Sequence, residues 1–301
     1  MGPTIWENGR MKAEKVFRGA LSGTSYIVMI LIGGIFLTLL VGAWPSIVAF
    51  KLPFLFTTVW DPVKENFGAA TFVVGTLLTS FMALLISIPF SLSIALLLGE
   101  YYRTGLFSRI IRTFVDLLAS VPSVVYGLWG IAVLIPAVRF IERQLHVVPY
   151  GVGMFTAAVI LAIMILPYSA SIAIEVIKLV PDDLRSAGFA IGATRREMIF
   201  NVVFPYARSG ILAGFLLSLG RALGETMAVT LVIGNVIQLP KTIFSPGNTL
   251  ASVIASQFTE ANGSLHLAAM IELALVLFII TTIINGISHQ VIIRLGGEVH
   301  L

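Results

Sequence analysis

Polar and hydrophobic positions alternate along this chain in long blocks. Six stretches, 19–50, 66–99, 117–138, 147–174, 209–240 and 273–293, contain no Asp, Glu, Lys or Arg except Arg221 and Glu225 in the fifth. About 20 mostly apolar helical residues cross the roughly 30 Å of bilayer hydrocarbon, so each stretch is long enough to span a membrane once. Polar connections fall near 51–68, 100–110, 138–149, 178–208 and 238–265. The pattern predicts an all-α, polytopic membrane helix bundle of about six transmembrane helices, in which every helix satisfies its own backbone.

Composition supports that reading. Of 301 residues, 57% are apolar and 11% charged, with a mean hydropathy of +0.99, whereas soluble domains carry about 25% charged residues. No cysteine is present, which excludes disulfides and thiolate metal sites. The net charge of +4 does not point to nucleic acid, because the basic residues are scattered between apolar runs. Their distribution reads as topology. With both ends inside, thirteen of the nineteen Lys and Arg fall in inner segments and five in outer ones, Arg221 lying within a span. That bias predicts cytoplasmic N and C termini.

One transmembrane domain over 25–296 follows, with an N-terminal segment 1–24 and a tail 297–301. Within the N-terminal segment, Ala13, Val16, Phe17, Ala20 and Leu21 recur at helical spacing opposite Lys12, Glu14, Lys15 and Arg18, as in a short helix lying on the membrane surface. The apolar run after it is longer than a signal-peptide core and lacks a small-residue cleavage site, so the segment is expected to remain on the mature chain.

Several spans carry helix breakers: Pro89 in the second, Pro122 with Gly127 and Gly130 in the third, and Pro167 in the fourth. Broken backbone at membrane depth persists only where protein or a water-filled cavity satisfies it. The string SVPSVVYGLWG over 120–130 is therefore a candidate helix break and cavity wall, centred on Pro122 and Gly127; a kink that only improves packing is the alternative. Arg221 and Glu225 would each cost about 2.5–3.5 kcal/mol if exposed to lipid, so they are expected to face the bundle interior. On one continuous helix, Gly210, Gly214, Ser218, Arg221, Glu225 and Ala228 fall within an arc of about 80°, with Gly220 and Gly224 forming a second close-approach pair. Two readings stay open for the charges. They line a substrate pathway, where the planar guanidinium suits an oxyanion and Glu225 pairs with it, or they form a structural ion pair. Asp116, Glu175 and Glu272 read as interfacial. His146, His266 and His289 are dispersed, without metal-ligand spacing.

The longest inner connection, 178–208, reads KLVPDDLRSAGFAIGATRREMIFNVVFPYAR. Pro181, Asp182 and Asp183 signal a helix start, the acids capping free amides and complementing the helix dipole. A short helix over 184–191, a turn at Gly192, and a second helix over 194–203 before Pro205 are predicted. This arrangement resembles the EAA loop of bacterial ABC-importer permeases: Glu-Ala-Ala, three residues, Gly, then a hydrophobic-x-Pro. Ala187 matches the first alanine, Gly192 the glycine, and Val203 with Pro205 the end; Ser186 stands at the Glu position and Gly188 at the second Ala. The resemblance implies a coupling loop over about 179–208, including Asp182, Asp183, Leu184, Ser186, Ala187, Gly188, Gly192 and Pro205, that docks on a cytoplasmic ATPase. With no G-x-x-x-x-G-K-[ST] string in this chain, ATP and magnesium are assigned to that partner, and this chain is expected to be neither an enzyme nor a holder of cofactor or metal.

The strings SVPSVVYGLWG, GRALGETMAVTLVIGN over 220–235, and SPGNTLASVIASQF over 245–258 with AAMIELALVLF over 268–278 resemble, more narrowly, the PstC-type permeases of bacterial and archaeal phosphate importers. That resemblance implies a type I ABC importer fold in the inner (cytoplasmic) membrane, multi-pass and in contact with lipid. It also implies a permease subunit forming half of a path for inorganic phosphate, with Arg221 in the pathway and Glu225 as its partner. The implied partners are a PstA-type permease, a PstB-type ATPase dimer and an external PstS-type phosphate-binding protein. An ABC permease for another oxyanion and an ion-gradient-driven secondary transporter are the alternatives.

Overall fold

In the computed structural model, which describes residues 5–261 and 263–296, the first helix, α1 (Ile5–Phe50), runs unbroken for 46 residues. The predicted surface helix is thus continuous in backbone with the first span; the tail 297–301 lies outside the described residues. Beyond Lys51, a helical turn α2 (Pro53–Phe56) leads to a minimal antiparallel ribbon, β1 (Trp60–Asp61) with β2 (Asn66–Phe67), in register Trp60 to Phe67. Asp61 Oδ1 accepts from the amides of Val63 at 3.0 Å and Lys64 at 3.1 Å, closing the turn.

Helix α3 (Ala70–Leu96) ends in a π-turn, Leu97–Tyr101. The amphipathic α4 (Leu106–Ser120) stops before Pro122, and α5 (Ser123–Trp129) continues through a π-turn into α6 (Ile135–Gln144). Helix α7 (Met154–Lys178) is followed by α8 (Asp182–Ala190) and by α9 (Arg195–Met198), which passes through a third π-turn into α10 (Phe204–Leu223). Then come α11 (Met227–Val232), α12 (Leu250–Gln257) and α13 (Ser264–Gly296). Among the described residues six helical segments are long and apolar enough to cross a membrane: Phe17–Phe50, Ala70–Tyr101, Ser123–Gln144, Met154–Lys178, Arg195–Leu223 and Ser264–Arg294. The all-α, six-span expectation holds.

Three spans differ from their predicted form. The third starts at Ser123, because Pro122 occupies the N-cap of α5 and starts a new helix instead of kinking one. The fifth does not continue through 209–240; α10 ends at Leu223, Gly224 caps it, and α11 begins again after Thr226. Glycine alone does not show the position of the break, because Gly210, Gly214 and Gly220 of the same run stay within α10. The sixth starts at Ser264, which places Glu272 two turns inside the helix, 6% exposed; the interfacial expectation for Glu272 is corrected accordingly.

Burial orders the bundle. In its apolar window α7 buries 67% and α1 only 6%, so α7 is the central helix and α1 a peripheral one. Helices α3 and α7 meet through hydroxyls, with Ser91 Oγ and Ser169 Oγ 2.6 Å apart. Pro89 and Pro167 do not end α3 or α7. Near them, Ser93 Oγ donates to the Pro89 carbonyl at 2.7 Å and Ser169 Oγ to that of Ile165 at 3.2 Å, side-chain hydroxyls turned back onto their own helices. Helix α10 lies on α7 through the predicted seam of small residues: a Cβ at Gly210 would come 2.6 Å from Val176, and one at Gly214 3.0 Å from Ile172. Gly220 instead faces Asn285 of α13.

At the N-terminal end of α3, Thr76 Oγ1 accepts from the amide of Leu250 at 2.9 Å, and a Cβ on Gly75 would collide with the backbone carbonyl of Asn248. Backbone cannot yield as a side-chain tip can. Gly75→Ala is therefore expected to destabilise the detergent-solubilised protein by about 1–3 kcal/mol, read as a lowered thermal midpoint. At Gly188 the added methyl would meet only Met198 Cγ at 3.4 Å, so Gly188→Ala should leave that midpoint unchanged.

Candidate coupling and translocation sites

Helix α8 is built by its flanks. Pro181 is the N-cap, with φ −59° and ψ 139°, and no side chain caps the first amides. The expectation that Asp182 and Asp183 cap those amides is corrected. Both acids sit in the first turn, beside the positive end of the dipole, but the Asp182 carboxylate is turned to two arginines. Gly192, at φ +86°, has nothing within 4 Å of a built Cβ, so glycine is required there by backbone conformation, not by space. Thr194 and Glu197 then close a reciprocal capping box: the Thr194 amide donates to Glu197 Oε2 at 2.8 Å, and the Glu197 amide to Thr194 Oγ1 at 3.3 Å. Pro205 directly follows the π-turn at 199–203 inside the continuous segment Arg195–Leu223, so its missing N–H coincides with the widened turn.

Of α8, only Arg185 and Gly188 are buried; Asp182, Asp183, Leu184, Ser186, Ala187 and Phe189 are exposed, as is Ile191 after it. This outward face, apolar at Leu184, Phe189 and Ile191, belongs to none of the membrane spans. Arg185 points inward, donating from Nε to Glu100 Oε2 at 3.1 Å and from Nη2 to the Ile177 carbonyl at 2.8 Å. Arg103 Nη1 donates to Asp182 Oδ1 at 2.8 Å, and Arg112 Nη1 to Glu175 Oε1 at 2.9 Å. The hydrogen bond from Arg103, and then its charge, hold the Asp182 carboxyl below its usual pKa. A depressed carboxyl pKa contributes stability that is present above the ordinary carboxylate value and is lost as pH falls through the lowered one.

Two helix breaks define the second region. At the end of α4, the Leu118 carbonyl accepts from Tyr126 Oη at 2.7 Å and the Ala119 carbonyl from Tyr168 Oη at 3.3 Å. The Leu118 carbonyl also receives the Val121 amide at 3.4 Å, so the two hydroxyls supplement the weakened backbone bonding where α4 ends before Pro122. The Arg221 guanidinium lies over the Tyr168 ring, 4.2 Å from its centroid. Tyr168 is ten residues before Lys178 in α7, about 15 Å along the helix from that end, so Arg221 lies well inside the bundle's length. Its side chain is exposed in the isolated subunit.

Arg221 and Glu225 do not meet as expected. Among the described residues no ion pair joins them, because the break at Gly224 takes Glu225 off the helical face that Arg221 occupies. Glu225 Oε1 instead faces the Ala228 amide at 3.5 Å, at the start of α11. Gly127 also differs from its predicted role as a cavity wall: a Cβ there would come 3.2 Å from Ala228 Cα and 2.5 Å from Leu231 Cδ1, so it is the close-approach point of α5 on α11.

The structure thus brings Pro122, Tyr126, Tyr168 and Arg221 together and leaves Glu225 apart. Sequence reasoning missed Tyr168, Glu100 and Arg185. Tyr126 stood in a noted string without a role, and the T-x-x-E capping box was legible but unread. Among the described residues no group of three or more His, Asp or Glu could hold a metal ion.

Comparison with known proteins gives these features a family. Residues 88–294 match the family described as binding-protein-dependent transport system inner membrane component. The chain is 40% identical over 297 residues to the phosphate transport system permease protein PstC of Pasteurella multocida, covering 94% of this chain and 92% of that one. It is 39% identical over 300 residues to the protein of the same name from Mesorhizobium japonicum, with coverages of 95% and 91%. In fold, it matches a solved chain of a bacterial alginate ABC transporter in complex with an alginate pentasaccharide-bound periplasmic protein, at TM-score 0.64 and 14% identity over 97% of this chain and 98% of that one. The chain belongs to the family of binding-protein-dependent transport system inner membrane components and, within it, to the PstC permeases.

Proposed function

We propose that this chain carries inorganic phosphate across the inner membrane as one half of an ATP-driven, binding-protein-dependent importer. The observation that carries the reading is the phosphate transport permease name shared by relatives aligned over nearly the whole chain. The placement of Arg221 supports it: a permanent cation with a planar fork of donors stands where two helices are interrupted, in the part of the bundle where a charge is otherwise costly. Among the described residues its contact is an aromatic face and no ion pair, so its N–H donors can turn to an oxyanion without first leaving a carboxylate.

The remaining parts of the reading are a PstA-type permease completing the path, a PstB-type ATPase dimer seated on the exposed face of α8, and a PstS-type binding protein delivering phosphate from outside. ATP and magnesium belong to the ATPase. Both termini are cytoplasmic, in keeping with thirteen inner against five outer basic residues. The exposed helix α8, joined by one turn at Gly192 to the continuous helical segment Arg195–Leu223 that holds Arg221, favours a motor acting on this loop over an ion-gradient mechanism.

Labelled-phosphate uptake into proteoliposomes holding this chain with those partners tests the reading. Accumulation should require ATP and disappear when this chain is omitted; uptake that ignores ATP and follows an imposed ion gradient would overturn it. In the same assay Arg221→Gln should lower uptake by about 10- to 100-fold, the loss of one charge-assisted hydrogen bond worth about 1.5–3 kcal/mol. Tyr168→Phe, which keeps the ring face, should have a smaller effect than Tyr168→Leu. Full uptake by Arg221→Gln at normal expression would remove Arg221 from the pathway.

A further inference from the structure

The C-terminal ends of α3 and α7 and the first turn of α8 share four charges that the functional reading leaves unused. They come from two acid-x-x-base pairs far apart in sequence, Glu100 with Arg103 and Asp182 with Arg185. The pairs interlock crosswise. Arg185 Nε lies 3.1 Å from Glu100 Oε2, Arg185 Nη1 3.2 Å from Asp182 Oδ1, and Arg103 Nη1 2.8 Å from Asp182 Oδ1. The fourth edge, Arg103 Nη2 to Glu100 Oε2, is 3.8 Å, longer than a hydrogen bond. Charges alternate around this ring and sum to zero.

One half of the ring is buried, Arg185 being 5% and Glu100 7% exposed. Its position follows from local chemistry. Pro181 has no N–H to complete the i+4 bond to the Ile177 carbonyl, which is left with off-register bonds from the Leu179 amide and, at 3.4 Å, the Val180 amide. Arg185 Nη2 supplies the missing donor at 2.8 Å, and Nη1 also donates to the Val180 carbonyl. Glu100 sits in the π-turn at the end of α3, where neighbouring Gly99 lies so close to α7 that a Cβ would be 2.7 Å from Ile177 Cγ2. Single π-turns of this kind recur at functional sites. A single guanidinium thus binds the carbonyls ending α7, the carboxylate ending α3 and the first turn of α8.

We propose that this four-charge ring is the mechanical link of the importer, with Arg185 the positioning residue through which displacement of α8 reaches α3 and α7 together. The proposal rests on the reading of α8 as the docking element for the ATPase. A buried ion pair is poor at adding stability, since apolar replacement is commonly neutral or better; what it fixes is relative position. Without the ring, α8 would remain attached through the backbone at 179–181 and 191–194 and through Gly188, which lies against Met198, but would lose its side-chain ties to Glu100 and the Ile177 carbonyl. Arg185 faces away from the exposed surface of α8, so its removal leaves the docking surface itself in place.

The test is phosphate taken up per ATP hydrolysed, measured in the fully reconstituted complex. Arg185→Gln and Glu100→Gln should each lower that ratio at least about fivefold while hydrolysis stimulated by the binding protein persists, and the double variant should be no worse than the poorer single one. If uptake and hydrolysis fall in parallel at the wild-type ratio, or the ratio is unchanged, Arg185 is structural only and the proposal fails. Should the buried variants not assemble, Asp182→Asn removes the exposed limb and must lower the ratio in the same direction; an unchanged ratio again overturns the proposal. A wild-type complex without ATP-driven uptake would overturn the importer reading itself, and the link with it.

Discussion

Every backbone carbonyl and amide freed inside the hydrocarbon must find a partner within the protein, and the architecture is organised around that requirement. The chain breaks its helices where it needs irregular shape, and side chains on the same or a neighbouring element bond to carbonyls at those places. Tyr126 and Tyr168 serve the carbonyls at the end of α4. Serine hydroxyls sit beside Pro89 and Pro167. At the C-terminal end of α7, Arg185 supplies the donor that Pro181 lacks. Side chains that repair backbone also tie one helix to the next, so the same contacts that make a break tolerable make it a joint.

Close approach is the complementary device. In a bilayer lipid tails are as apolar as leucine, so helices associate through shape and not through escape from water. Gly210 and Gly214 let α10 lie on α7, Gly127 lets α5 lie on α11, and Gly99 brings the end of α3 onto α7. Gly192 has a different task, holding a positive φ in open space between α8 and α9. Together these contacts leave α7 at the centre, with Tyr168 near one end of its interactions with the broken helices and Ile177 at the other.

Much of this was legible in the amino-acid order. Long charge-free blocks specify membrane spans, because no other element buries so many consecutive apolar residues, and the loop at 178–208 announced its two helices through Pro181, Gly192 and Pro205. The breaks were less legible. Pro122 marked one position but not whether the helix would bend or restart. The polar cluster of Gly220, Arg221, Gly224, Glu225 and Thr226 marks the join, but Gly210, Gly214 and Gly220 in the same run stay within α10, so glycine alone does not show which position interrupts the helix. That interruption separated Arg221 from Glu225, whose i, i+4 spacing otherwise predicts neighbours. The ring at Glu100 and Arg185 was illegible because its halves are 85 positions apart and only the tertiary fold registers them, although each half shows an acid-x-x-base pattern at the edge of an apolar block.

The central claim is that the interrupted helices around Arg221 line a path that water and phosphate enter. Because the chain has no cysteine, a single introduced thiol can report on it. Thr226→Cys, in the break between α10 and α11, and Leu85→Cys, on the exposed apolar surface of α3, would be exposed to a membrane-impermeant thiol reagent in the assembled complex. The account predicts that Thr226→Cys is modified, at a rate that changes with nucleotide and falls with phosphate, while Leu85→Cys stays unreactive. Equal inertness at both positions under every nucleotide condition would contradict it.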